Sequence, residues 1–123
     1  MVTQARVKRI AHTSRGVRKR IDLFVPLTLN NGTSVPRAVM EQVEKAVLAC
    51  FSACTLHRSL RGLWVSRDGL VYREPIMVIE IVTEEKPELL AVLISLAAMV
   101  CLGFQQEEVF LTIREIEAVS VVG

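Results

Sequence analysis

The chain is poor in the residues from which chemistry is usually read. It has two histidines, His12 and His57, and only six aromatic side chains. It contains no Gly-x-Ser-x-Gly elbow, no glycine-rich phosphate loop and no paired-histidine metal motif. A nucleophile with its base and orienting group cannot be assembled from what remains, which argues against an enzyme. No cofactor or metal is expected, since no motif for either is met. Three cysteines, Cys50, Cys54 and Cys101, make an odd number in helical, apolar context. With no apolar segment in the first twenty residues to serve as an export signal, this pattern predicts free thiols in a reducing, cytoplasmic setting. The Asn31-Gly32-Thr33 sequon is then a chance match. Leu89 to Phe104 is apolar but too short for the roughly 20 residues of a membrane span, so a buried core helix is expected and no membrane partner.

Charge is absent in one place and concentrated in another. Residues 1 to 20 hold Arg6, Lys8, Arg9, Arg15, Arg18, Lys19 and Arg20 with no acidic residue, a net charge of +7. The remaining residues carry eight Lys or Arg against thirteen Asp or Glu, a net −5. A basic arm on an acidic body points to an anionic partner or to an arm folding back on its own body. The arm, residues 1–20, is read as disordered or as an extra edge strand, and residues 21–123 as one domain.

What is present is a legible order of elements. Ile21, Leu23, Val25 and Leu27 alternate with Asp22, Phe24 and Pro26, the period of a half-buried strand. After a polar loop, Ser34 as N-cap and Pro36 in the first turn predict a helix whose stripe is Val39, Val43, Val47 and Cys50. Leu60–Ser66 and Leu70–Thr83 read as strands joined at Asp68-Gly69, where glycine supplies a positive φ. A second helix is expected from Lys86 to a C′ glycine at Gly103, and a last strand from Glu108 to Ile116, with a short edge segment after it.

This order, strand–helix–strand–strand–helix–strand over residues 21 to 116, resembles the ferredoxin-like superfold, an α+β plan with an antiparallel sheet and two helices on one face. Phe51 to Trp64 is similar to segments of small uncharacterised bacterial proteins to which no function attaches. The resemblance implies one uncovered sheet face. Here Phe24, Phe110, Ile76 and Val78 would occupy it, and the second helix is apolar around most of its circumference. A strand apolar on both faces belongs to a sheet covered on both sides, so a homodimer or homotrimer is expected.

Three candidate sites follow. His57, Arg58, Arg61, Trp64, Arg67 and Arg73 cluster on the hairpin, where guanidinium beside aromatic rings suits an anionic ligand. The arm residues Arg6, Lys8, Arg9, Arg15, Arg18, Lys19 and Arg20 could follow a phosphate backbone, although the acidic body opposes nucleic acid. Cys50, Cys54 and His57 approach metal-ligand spacing, but a structural zinc site needs four donors and no second pair is local. The function expected is a homo-oligomeric ligand-binding or regulatory module. A nucleic-acid binder using the arm is the alternative, and a small cofactor-free enzyme with its site on the open sheet face is a second one.

Overall fold

Residues 12–123 are described by the computed structural model, the side chain of His12 excepted. Period-2 apolarity becomes four strands, β1 (His12–Pro26), β2 (Thr55–Val65), β3 (Val71–Thr83) and β4 (Leu111–Val122). Period-3.6 apolarity becomes two helices, α1 (Arg37–Phe51) and α2 (Leu89–Gly103). The sheet order is β2-β3-β1-β4, with every neighbouring pair antiparallel. The chain therefore has the ferredoxin-like βαββαβ plan, with β1 central, as the element order predicts.

One face of the sheet makes the core. Ile21, Leu23 and Val25 of β1 and Met77, Ile79 and Ile81 of β3 are buried there. They pack with Val43 and Val47 of α1, Leu89, Leu93, Leu96 and Val100 of α2, and Phe104 just beyond it. Full burial of each such side chain contributes about 1.5–3 kcal/mol. No buried polar side-chain atom lacks a partner among the described residues.

Several boundaries differ from expectation, each for a local reason. Helix α1 begins after Pro36, and no side chain caps it. Ser34 instead closes the preceding loop by bridging Thr28. Cys50, expected on the buried stripe, is exposed. Gly103 is the last residue of α2 and not a left-handed cap. Its value is steric, because a Cβ there would lie 3.3 Å from a methyl of Val39 on α1. The positive φ falls at Gln105 (56°), from which the chain turns toward β4.

The two ends of the sheet project differently. β1 pairs with β3 only from Lys19 onward, whereas its pairing with β4 runs from His12 to Leu23. At the other end the β2–β3 hairpin extends beyond the last β1–β3 pair, Pro26 with Ile76. Its turn closes through Ser66 accepting from Gly69 N–H (3.0 Å), with Gly69 at φ +81°. No helix among the described residues is long and apolar enough to cross a membrane.

Candidate functional site on the open sheet face

Strand parity places Arg20, Asp22 and Phe24 on the face turned away from the helices, because Ile21, Leu23 and Val25 are buried on the other. The β1–β3 register sets Asp22 opposite Glu80 and Phe24 opposite Val78. The β2–β3 register adds His57 opposite Val78, Leu60 opposite Ile76 and Trp64 opposite Tyr72. Alternation along β4 brings Phe110 and Thr112 to the same face.

A polar cluster occupies its middle. Glu80 Oε1 lies 2.7 Å from His57 Nε2 and 3.2 Å from the Arg20 guanidinium, which also reaches Asp22 at 3.3 Å. Two carboxylates thus face one guanidinium and one imidazole. A small depression of about 240 Å³ beside them is lined by Phe24, Leu60 and Val78. His57 is held there by an irregularity in β2: between His57 and Leu60 the pairing shifts, with Ser59 at φ 62°.

Aromatic rings frame the rest of the face. Phe24 and Phe110 meet at 5.5 Å between centroids with planes tilted 45°. Trp64 and Tyr72 stack at 4.4 Å with planes 13° apart, on the projecting part of the hairpin. Between these two pairs runs a groove of about 360 Å³, lined by Trp64, Phe24 and Phe110 with Glu74, Gln106 and Glu108 at its polar margin. The Gln106 amide nitrogen donates to the carbonyls of Thr28 (3.0 Å) and Phe104 (3.1 Å), which fixes the side chain.

Of the hairpin residues singled out in the sequence, Trp64 and Arg73 border one depression with Tyr72, Glu74 and Gln106, and the others do not join them. His57 and Trp64 are on the open face. Arg58 turns toward α1 and pairs with Glu44 at 3.1 Å. Arg61 lies opposite Pro75 and Arg73 opposite Leu63, one residue out of phase with Trp64 and therefore on the helix-side face of the ribbon. Arg67 is in the turn. Arg6, Lys8 and Arg9 lie outside the described residues. The other basic residues of the first twenty are in β1, and each has a carboxylate within reach: Arg15–Glu117 at 2.9 Å, Arg18–Glu84 at 3.5 Å, Lys19–Glu85 at 3.4 Å, and Arg20 as above.

Asp22 and Glu80 are site residues that the sequence reading does not include, and Arg20, expected as part of a basic arm, stands in this cluster instead. A signal for Asp22 was available, since Arg20 and Asp22 share the parity of the outward-facing Phe24. No metal-ligating cluster of three or more His, Cys, Asp or Glu occurs among the described residues. Burial pushes the Cys54 thiol above the ordinary value, and the Glu44 carboxylate adds to the shift.

No family model matches the chain, and no curated protein matches it. Solved structures do. A phage SAM lyase in complex with S-methyl-5′-thioadenosine is 20% identical, with a TM-score of 0.59 over 87% of this chain and 88% of that one. The same type of enzyme in its apo state gives a TM-score of 0.61 at 20% identity, covering 88% and 89%. CutA1 from Oryza sativa is 11% identical, with a TM-score of 0.55 over 81% and 80%. At these identities the likeness is one of fold.

Proposed function

We propose that this chain is the protomer of a homo-oligomer that holds a small-molecule ligand on its open sheet face, with a neighbouring copy closing the site. The observation that supports this most strongly is the composition of that face. It presents Phe24, Leu60, Ile76 and Phe110 together with the Arg20–Asp22–Glu80–His57 cluster, and no element of the described chain lies over it. A concave, apolar surface with a few convergent polar groups is the usual character of a ligand site. The exposure of Leu60 (40%) and Phe110 (60%) on this face supports the association, since adjoining exposed apolar side chains mark interaction surfaces. Fold likeness to the phage lyase and to CutA1 does not specify a ligand, although it makes S-methyl-5′-thioadenosine a rational first probe.

Light scattering at micromolar concentration tests the association. A mass that is a multiple of 13.7 kDa is expected, and a value equal to it overturns the proposal. Thermal-shift measurement with S-methyl-5′-thioadenosine and with structurally unrelated metabolites tests the ligand part, and a melting temperature unmoved by every compound opposes it.

A second reading, an enzyme with its site on the same face, is favoured by the His57–Glu80 contact. Imidazole against carboxylate is an arrangement that can hold and move a proton. Incubation with SAM, the compound in the name of the phage enzyme, followed by chromatography for its breakdown, tests it. Turnover that is lost in Glu80→Gln supports this reading, and absence of turnover removes SAM cleavage.

A further inference from the structure

Resting on the proposal that the open face holds a ligand, the geometry points to the class of that ligand: we infer that the groove between the hairpin and β4 accepts an organic cation with an apolar body, such as a quaternary ammonium.

The argument begins with charge. Of the residues that line the groove, Glu74 and Glu108 are the ionisable ones, and both are carboxylates. Neither is engaged in an ion pair among the described residues, whereas Glu80 on the same face is held by Arg20. Arg73 does not line this groove but the adjoining depression, which shares Trp64, Glu74 and Gln106 with it, and it forms no ion pair with Glu74. An anion entering here would meet like charge with no compensating donor. The Gln106 amide nitrogen is already committed to two carbonyls, so only its oxygen remains to be offered, and that is an acceptor.

The walls give the same answer. Trp64 stands on one side, and the Phe24–Phe110 pair on the other. Trp64 is 49% exposed and stacks on Tyr72. The negative faces of aromatic rings attract a cation, tryptophan most strongly, and three of the residues that line the groove are aromatic. The volume of about 360 Å³ suits a compact small molecule. A nucleotide phosphate or a nucleic-acid backbone would need the opposite lining.

A pair of probes of one shape separates charge from hydrophobicity: choline, and 3,3-dimethylbutan-1-ol, in which carbon replaces the charged nitrogen. The full chain is titrated with each at fixed ionic strength, and the same sample is examined by light scattering. Choline is expected to bind several-fold tighter than the alcohol. Trp64→Leu should weaken choline by about two- to thirty-fold. Glu74→Gln and Glu108→Gln, which keep shape and remove charge, should each weaken it about two- to five-fold and leave the alcohol unchanged. Circular dichroism of each variant checks that it folds. Equal binding of the two probes, or binding of neither, by an oligomeric protein overturns this inference and leaves the proposed function standing. Choline preference in a monomer has the reverse meaning. A monomer that binds neither removes both.

Discussion

His57 of β2 and Arg20 of β1 share a single acceptor, Glu80 Oε1, at 2.7 and 3.2 Å, so one carboxylate on β3 ties together three neighbouring strands. The Glu80 side chain is one-fifth exposed, whereas Arg15 and Glu117 form a pair that is mostly in water. Glu80→Gln removes the charge from a half-buried acceptor serving two donors and should cost about 1.5–3 kcal/mol. Glu117→Gln should cost under ~1 kcal/mol. Urea unfolding midpoints compared at equal protein concentration test the difference, and equal losses would contradict it.

Gly69 is required by backbone conformation and not by space, since no atom lies near a Cβ built there. With φ at +81°, Gly69→Val should destabilise the hairpin by about 1–2 kcal/mol. Gly123→Val, also in open space but without a positive φ, should be silent. Thermal melts of the two variants provide the comparison.

Leu60 is 40% exposed on the open face, and replacing it costs little within one chain. If a second copy covers this face, Leu60→Asp buries an unpaired charge in the contact. The expected result is loss of the oligomer with an unchanged circular dichroism spectrum. An oligomer that survives the change places the contact elsewhere, with the outer side of α2, Leu90 and Ile94, as the next surface to alter.

Cys54 and Cys50 should differ in reactivity. Burial and Glu44 hold the Cys54 thiol protonated to higher pH than an ordinary thiol, so at any pH below its raised value a smaller fraction is thiolate. Alkylation with iodoacetamide near pH 8, mapped by mass spectrometry, should modify exposed Cys50 first. Cys54 should catch up only as the pH is raised.

Amide exchange along β1 should change character at Lys19. From Lys19 to Leu23 the strand has partners on both sides, and successive amides should be protected alike. From Thr13 to Arg18 only β4 is bonded, so protection should alternate residue by residue. Uniformly fast exchange before Lys19 would contradict the observed pairing. Because the described basic residues of this strand are paired with carboxylates, DNA and RNA oligomers are expected not to bind even at about 50 mM salt, where phosphate contacts are strong.

The order of the elements was legible because it depends on local periodicity: Ile21 to Val25 could only be a half-buried strand, and Leu89 to Val100 only a helix, although a single stripe of it, Leu89, Leu93, Leu96 and Val100, is buried while Leu90 and Ile94 stay exposed. Their limits were less so. β2 begins at Thr55 and not Leu60, since the left-handed Ser59 breaks the alternation that would have revealed Leu56 and His57 as strand residues. β4 runs on to Val122 because its partner is β1, far away in sequence. The site was hidden for the same reason. Trp64 was found by its rarity, but the meeting of His57, Glu80 and Arg20 depends on two cross-strand registers, and no pattern within any one strand encodes a register.

The long ladder between β1 and β4 also sets a schedule. Arg15 bonds Glu117 across 102 positions of sequence, so β1 finds this partner only when the much later β4 has emerged. Until then β1 must leave its β4 edge open, as a row of unsatisfied amides and carbonyls beside apolar side chains. Contacts this distant slow folding, because chain closure precedes any gain from pairing. A ribosome-bound chain halted before Leu111 is therefore the species most exposed to aggregation, and lowering the temperature or the rate of synthesis should benefit this protein more than strengthening its core would.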